Sequence, residues 1–236
     1  MRIEWSSPVG VVADGPATTL SLVDVEILDS QTEDGSYGYG ISITEATTTL
    51  TDVTVSGAST VGVLISAADV QASNLRIEDV SPDEDDALGV GLWVQEGSVL
   101  SIEGCDIQDT LVAGIRLVET YEADIEGCTI DTVAMGVSVS GVEMGDGIVA
   151  TQSTDAHNYD PATFAHSLVD NTVTGAARAG ILLDGISAEL EGNQAGDDNG
   201  YSIDGVSIFA QGDAVTSGSD PVVSLEEDGE YAPLDW

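Results

Sequence analysis

A repeat of about 22 residues is the feature of this sequence that most restricts its fold. The segment 102–109 returns 23 residues later as 125–132, with two isoleucines, a glutamate, a glycine and a cysteine at equivalent positions. Weaker copies begin at Leu22, Leu50, Ala72, Leu168 and Leu190. A chain built from such repeats folds as similar units, each of which stacks on its neighbours.

A second element, a glycine followed by alternating apolar residues, comes after each copy. These segments begin at Gly40, Gly62, Gly91, Gly114, Gly136, Gly180 and Gly205. Apolar residues at every second position predict β-strands rather than helices. At the glycine itself we expect a corner, where either a positive φ or a close backbone approach favours a residue without Cβ.

Three short strands per unit predict an all-β, right-handed parallel β-helix with about seven complete coils of about 22–23 residues and with loop insertions. In one unit the strands would lie near 99–102, 105–107 and 114–118. Leucine-rich repeats share the length, but their asparagine-centred signature and their helix pattern are missing. The repeat resembles that of the right-handed parallel β-helix family, which includes pectate lyases, polygalacturonases, alginate epimerases, phage tailspikes and bacterial surface proteins.

Stacking of the units predicts columns of inward side chains. One column would contain Val23, Val53, Leu75, Cys105, Cys128, Asn171 and Asn193, and a second Val25, Val55, Ile77, Ile107, Ile130, Val173 and Ala195. Cys105 and Cys128 would touch across neighbouring coils. We expect buried thiols there, because in-register parallel strands strain a disulfide.

The repeat predicts a single domain over residues 1–236, with core coils at about 9–225 and a C-terminal tail at 226–236. An insertion is expected at about 141–165, and its two histidines, His157 and His166, are expected at the surface. No amphipathic capping helix precedes Gly10. The chain is therefore expected to be a section of a longer protein, to form end-to-end contacts with partners through uncapped coils, or to be plugged at its ends by Trp5 and Trp236.

Charge excludes some functions. The chain has 43 acidic residues against four arginines and no lysine, which gives a net charge of -39. Binding of nucleic acid through a basic surface is excluded, and an apolar fraction of 42% excludes a disordered acidic tail. The sequence contains no apolar run of the length that spans a membrane. The negative charges repel one another, and salt or divalent ions would relieve this repulsion. The charge therefore favours an extracellular or cell-surface location.

Two groups of residues are candidate sites. Leu64, Trp93 and Arg116 occupy equivalent outward positions on consecutive coils, and an aromatic ring beside an arginine suits docking of a sugar or a protein. The alternative is a patch that a loop covers. Asp83, Glu84, Asp85 and Asp86 share one loop, and their oxygens would suit Ca²⁺ as a cofactor, although their spacing is not that of an EF-hand.

The sequence favours a non-enzymatic extracellular or surface-displayed β-helix scaffold, an adhesion or binding module whose partners are a polysaccharide or a surface protein. The alternative that the resemblance implies is a polysaccharide-active enzyme, a lyase before a hydrolase. A pectate-lyase-like base would have to be Arg76, Arg116 or Arg178, and Arg76 and Arg116 are expected to be solvated and ion-paired. The polygalacturonase-like set requires a lysine, which this chain lacks. Acids clustered with an arginine on one face would favour the enzyme.

Overall fold

A computed structural model of the chain describes residues 1–31, 38–83, 88–138, 141–152 and 165–225, and none of these residues is helical. The strands are β1 (Arg2–Glu4), β2 (Val9–Asp14), β3 (Thr19–Leu28), β4 (Gly38–Thr44), β5 (Thr47–Ser56), β6 (Thr60–Ser66), β7 (Asp69–Glu78), β8 (Val90–Gln95), β9 (Val99–Thr110), β10 (Ala113–Val118) and β11 (Glu122–Val133). They continue with β12 (Gly136–Val137), β13 (Glu143–Met144), β14 (Asp146–Thr151), β15 (Ala165–Val169), β16 (Thr172–Ala176), β17 (Ile181–Asp184), β18 (Ser187–Glu191), β19 (Gln194–Ala195), β20 (Ile208–Gln211), β21 (Val215–Gly218) and β22 (Val223–Leu225).

The chain alternates between two parallel sheets. Sheet 1 has the order β1-β3-β5-β7-β9-β11-β15-β18-β21, with β16 and β19 beside it, and sheet 2 has the order β2-β4-β6-β8-β10-β14-β17-β20-β22. Each strand therefore pairs with its equivalent in the next unit, as in β9 with β11 and β8 with β10. The all-β solenoid of stacked coils that the repeat predicts is confirmed.

Two of the three strands expected in each unit are joined in the first coils. β9 runs without interruption through both 99–102 and 105–107, and it bends at Gly104, where φ is 73°. The equivalent residue also has a positive φ in the other coils. These residues are Asp24, Asp52, Asn74, Gly104, Gly127, Asp170 and Gly192. Glycine, asparagine and aspartate tolerate this conformation best, so residue type at this one position marks the bend.

The inward columns are as predicted except in the first coil. There the register places Val25 beside Val53 and Ile27 beside Val55, so the prediction for this coil was wrong by two residues. Val23 instead points outward and is 55% exposed. The alternation of apolar residues continues through this segment, so periodicity alone allows both registers. The bend at Asp24 decides between them, because it shifts which residues face inward.

A column of glycines lines sheet 2, and close approach rather than positive φ explains it. A Cβ on Gly114 would lie 2.5 Å from the Cγ2 of Ile130 and 2.8 Å from the carbonyl oxygen of Gly147. The same conflict recurs along the column, which contains Gly10, Gly40, Gly62, Gly91, Gly114, Gly147 and Gly180. Isoleucines and valines of the inner column thus fill the space that a Cβ would need, and at Gly180 the side chain in that place is Ala195.

Two of the predicted glycine-led strands lie elsewhere. Gly136 begins the short strand β12, which pairs antiparallel with β13, and the strand that enters sheet 2 is β14. The core therefore resumes at Asp146, inside the insertion expected at about 141–165. Both segments are led by a glycine, and the 22-residue spacing from Gly114 favoured the wrong one. In the next-to-last coil Ser207, not Gly205, lies beside Gly180.

Cys105 and Cys128 form a disulfide between neighbouring coils. They lie opposite each other in the pairing of β9 with β11, with Cα atoms 4.3 Å apart. The expectation of free buried thiols was wrong, because this register places the two cysteines directly opposite each other and brings their side chains close enough to be bridged. Asn171 and Asn193 continue the same column and are buried, as predicted.

The expectation of a tryptophan plug is wrong for Trp5, whose surface is 74% exposed. Trp236 lies outside the described residues.

Candidate functional site

The three outward residues singled out in the sequence lie side by side on sheet 2. Leu64 on β6 is opposite Trp93 on β8, and Trp93 is opposite Arg116 on β10. Each is half-buried. We call these three residues the outer strip. Their alignment follows from the parallel register, which places equivalent side chains of consecutive coils on the same face.

The guanidinium of Arg116 stacks on the indole of Trp93, with its Cζ 5.0 Å from the ring centroid. This is the geometry of a cation–π interaction. Three nitrogen atoms of the pair, Nε1 of Trp93 and Nε and Nη1 of Arg116, are closed to water and have no acceptor among the described residues. Burial lowers the pKa of Arg116, and the nearby Asp146 carboxylate acts in the opposite direction.

The outer strip is the partly open section of a longer outward row. Towards the N-terminus the row continues with Ser42 and then Val12, which is 61% exposed. Towards the C-terminus it continues with Val149, Leu182 and Phe209, all fully buried. These three belong to an apolar cluster separate from the inner core, and the ring of Tyr201 packs against that of Phe209 at 5.2 Å. The row is therefore accessible at one end and covered at the other.

A buried ion pair lies next to this row. Asp146, which is 0% exposed, accepts hydrogen bonds from Nε of Arg178 at 2.9 Å, from Nη2 of Arg178 and from the backbone N–H of Ala179 at 3.1 Å. Burial raises the pKa of the Asp146 carboxyl, and its hydrogen bonds to Arg178 oppose that shift. Because Arg178 bonds both carboxylate oxygens, Asp146 is already engaged within the protein.

Sequence reasoning missed Asp146. It lies inside the stretch that was expected to be an insertion, and its partner Arg178 is 32 residues further along the chain. The signal that could have revealed it is the glycine at position 147, which satisfies the glycine-led pattern as well as Gly136 does.

The remaining charged candidate on the sheets, Arg76, lies on β7 in sheet 1 and is exposed. It bonds Glu78 at 2.7 Å and Asp106 at 2.8 Å, and hydrogen bonding and attraction to Glu78 raise its pKa. The solvated, ion-paired state expected for Arg76 is confirmed, whereas the same expectation for Arg116 is wrong. The described residues therefore do not bring Arg76 and Arg116 onto one face.

The predicted calcium loop is described only in part. Asp83 is half-buried, and Glu84, Asp85 and Asp86 lie outside the described residues. Within the ranges that the structure describes, no three His, Cys, Asp or Glu side chains come together as a metal site. Calcium binding by this loop stays a prediction.

His166 is not a surface residue. It lies on β15 and is 5% exposed, in an inward row between Ala123 and Ala188. Burial lowers its pKa to about 4. His157 lies outside the described residues.

Comparison with known proteins identifies the family. The sequence matches the model of the "Right handed beta helix region" over residues 9–195. The chain belongs to this family. The crystal structure of pectate lyase Pel9A resembles the chain with a TM-score of 0.51 at 10% identity, over 98% of this chain and 72% of that one. At this identity the likeness concerns the fold of the β-helix alone.

None of the curated proteins compared with this chain matches it. The described part of this β-helix contains no helix that is long and apolar enough to cross a membrane.

Proposed function

We propose that this β-helix protein is a non-enzymatic binding module of the extracellular space or the cell surface, and that it binds a polysaccharide along the outer strip. The observation that carries the proposal is the stacked pair of Trp93 and Arg116, half-buried at the open section of an outward row. Aromatic residues and arginines are the side chains that most often anchor partners at interfaces.

The shape of the outer strip suits a linear ligand. Leu64, Trp93 and Arg116 lie on three consecutive strands, so they extend over roughly 10 Å along the solenoid axis. Leu64 and the Trp93 ring offer apolar contact to the face of a sugar ring. Nε1 of Trp93 and Nε and Nη1 of Arg116 are closed to water, so the contact that the strip offers is mainly with the half-buried faces of its side chains.

The distribution of charged residues supports binding over lyase chemistry. A lyase of the kind considered above combines several carboxylates around a cation with a basic residue over the same groove. Here Arg116 faces Asp146, whose oxygens are bonded by Arg178, and Arg76 lies on the other sheet with its own partners. The described residues thus supply the arginines without the cluster of carboxylates that such a site requires.

Isothermal titration calorimetry with a panel of neutral and acidic oligosaccharides tests the proposal, because its signal does not depend on the tryptophan that is replaced. We expect Trp93→Ala to abolish binding. The matched control is Trp5→Ala, which removes an exposed tryptophan far from the strip in sequence and should leave binding unchanged. Thermal melting of both variants shows whether the fold is intact. Equal binding by both variants, no binding by the wild type, or shortening of the oligosaccharides in mass spectra would overturn the proposal.

A further inference from the structure

The disulfide between Cys105 and Cys128 closes one complete turn of the β-helix into a covalent ring. The ring begins on β9, contains β10 and returns to the equivalent position on β11. The bond lies in sheet 1 and the outer strip lies in sheet 2, so the bond is separate from the proposed binding surface.

The bend of the coil leaves the surface next to this bond without side-chain cover. In the preceding coils the bend residue has a polar side chain, and Nδ2 of Asn74 donates a hydrogen bond to Oδ1 of Asp52 at 3.0 Å. In the two coils that contain the cysteines the bend residue is a glycine, Gly104 or Gly127, directly before the cysteine. A Cβ on Gly127 would have no neighbour within 4 Å among the described residues.

A surface cavity of about 280 Å³ lies at these bends. Its lining includes Cys105 but not Cys128, and it also includes Leu75 and Arg76 of β7. Since β7 pairs with β9 on the side opposite to β11, part of the cavity lies on the side of Cys105 that faces away from Cys128. Exposure agrees with this, because Cys105 is 6% exposed and Cys128 1%.

A disulfide exchanges when a thiolate attacks one sulfur atom and displaces the other, in line with the S–S bond. A thiolate in the cavity would approach Sγ of Cys105 from the side that this displacement requires. It forms a bond with Sγ of Cys105, and the electron pair of the S–S bond passes to Sγ of Cys128, which leaves as a thiolate and takes a proton from water. The products are a mixed disulfide on Cys105 and a thiol on Cys128.

Charge restricts the thiol that the cavity accepts. Arg76 in its wall is bonded by Glu78 at 2.7 Å and by Asp106 at 2.8 Å, so one positive charge lies beside two negative charges. The whole chain has a net charge of -39. An anionic thiol is therefore repelled more strongly than a neutral or a cationic one.

We propose that Cys105 is a thiol–disulfide exchange site, at which a small neutral or cationic thiol opens the covalent ring and forms a mixed disulfide. The site is independent of saccharide binding. β9 and β11 pair on both sides of the bend, from Val99 opposite Glu122 to Thr110 opposite Val133. The ring therefore opens within a solenoid that stays folded.

Exchange of the native protein with cysteamine, 2-mercaptoethanol and 3-mercaptopropionate tests the site. These thiols are similar in size and carry an ammonium group, a hydroxyl group and a carboxylate. Reactions are stopped with acid and followed by mass spectrometry, and rates are compared per thiolate, because the thiolate is the nucleophile. At about 0.01 M salt we expect cysteamine to react about tenfold or more faster than 3-mercaptopropionate, and salt should reduce this ratio.

Peptide mapping of the stopped reactions should find the added thiol on Cys105. An adduct on Cys128 would overturn the site. Rates that rise steeply with low concentrations of urea would overturn it as well, because they would show that the bond reacts only after unfolding. Equal rates for the three thiols would overturn the selectivity by charge.

Side chains at the two bends should slow the exchange. Gly104→Asn with Gly127→Asn places over the cavity the side chain that Asn74 has at the equivalent bend, and asparagine tolerates a positive φ. The matched control is Gly97→Asn, since Gly97 has a similar φ of 70° and equally open surroundings but does not line the cavity. We expect 2-mercaptoethanol to react severalfold more slowly with the double variant alone. Equal rates in the two variants would overturn access through the cavity.

Single-cysteine variants compare the two sulfur atoms without the ring. Cys128→Ala retains the Cys105 thiol and Cys105→Ala retains the Cys128 thiol, and both variants lose the bridge. With the disulfide of 2-mercaptoethanol, Cys105 should form its mixed disulfide faster than Cys128 does. Equal or faster reaction of Cys128 would overturn the assignment to Cys105, and if either variant fails to fold, peptide mapping of the wild type decides the same point.

Discussion

The carboxylate of Asp146 and the guanidinium of Arg178 form an ion pair between consecutive coils, with Oδ1 of Asp146 2.9 Å from Nε of Arg178. Asp146 is fully buried, and the Arg178 side chain is 11% exposed. The pair lies beside the covered end of the outward row, where sheet 2 carries its second apolar cluster. This is the place in the described fold where two opposite charges are most fully removed from water.

Replacement of Asp146 by Asn should destabilise the fold strongly. The variant leaves Arg178 buried beside a neutral amide, and loss of one partner of a buried pair costs about 3–5 kcal/mol. Urea unfolding followed by circular dichroism measures the loss. The control is Asp106→Asn, which breaks the exposed pair with Arg76 and should cost less than about 1 kcal/mol. Similar losses in the two variants would contradict the assigned difference in burial.

Substitution of a column glycine should also destabilise the protein. In Gly114→Ala the new Cβ would conflict with Ile130 and with the backbone of Gly147, and relief of such overpacking costs about 1–3 kcal/mol or more. Gly196→Ala is the control, because the atom nearest to its new Cβ would be the carbonyl oxygen of Gly205 at 3.5 Å, an ordinary contact. A smaller loss for Gly114→Ala than for Gly196→Ala would show that close approach does not explain the glycine column.

The sequence predicted most of the fold because the solenoid repeats its contacts. A spacing of 22 or 23 residues, the period-2 alternation and the glycines were enough to place Cys105 beside Cys128 and Trp93 beside Arg116. Errors occurred where one pattern fits two registers. Gly136 and Gly147 both lead an alternating segment, and only packing decides which of them enters sheet 2.

The candidate site was harder to predict than the fold. Trp93 and Arg116 were found because outward alternation identifies them. The pairing of Asp146 with Arg178 follows from lateral contacts between loops and strand ends, and no period encodes such contacts. The burial of Arg116 was missed for the same reason, since alternation identifies the face on which a side chain lies but not what covers it.

Removal of the inter-coil disulfide should lower stability. Cys105 and Cys128 are 23 residues apart, and closure of a loop of this length accounts for about 3 kcal/mol in the chain-entropy description. The variant is Cys105→Ala with Cys128→Ala, which keeps small apolar side chains in the column. We expect the oxidised wild type to unfold at a higher urea concentration than this variant. A reducing agent should shift the wild type alone, and an unchanged midpoint would argue against the bridge.

The buried His166 should make stability depend on pH. Its pKa is about 4 in the folded protein and 6.5 as the ordinary value, so the unfolded chain binds more protons between these limits. Stability is therefore lost as pH falls from about 6.5 to about 4, by up to about 3 kcal/mol. The free energy of unfolding of the wild type minus that of His166→Asn should decrease as the pH falls over this range. Taking this difference removes the effect of the many carboxylates, which both proteins share. Parallel pH profiles of the two proteins would contradict the burial of His166.

The net charge of -39 should make the fold more stable at higher ionic strength. Repulsion among exposed carboxylates opposes the compact state, and salt screens it, since the Debye length falls from about 30 Å at 0.01 M to about 10 Å at 0.1 M. We expect the Tm to rise with NaCl. A comparison of CaCl₂ with MgCl₂ at equal concentration tests the predicted calcium loop, because only a specific site distinguishes the two ions. A larger rise with calcium that Asp83→Asn abolishes would support that site. A Tm that does not respond to NaCl would show that the carboxylates are too far apart, or too well solvated, for their repulsion to limit folding.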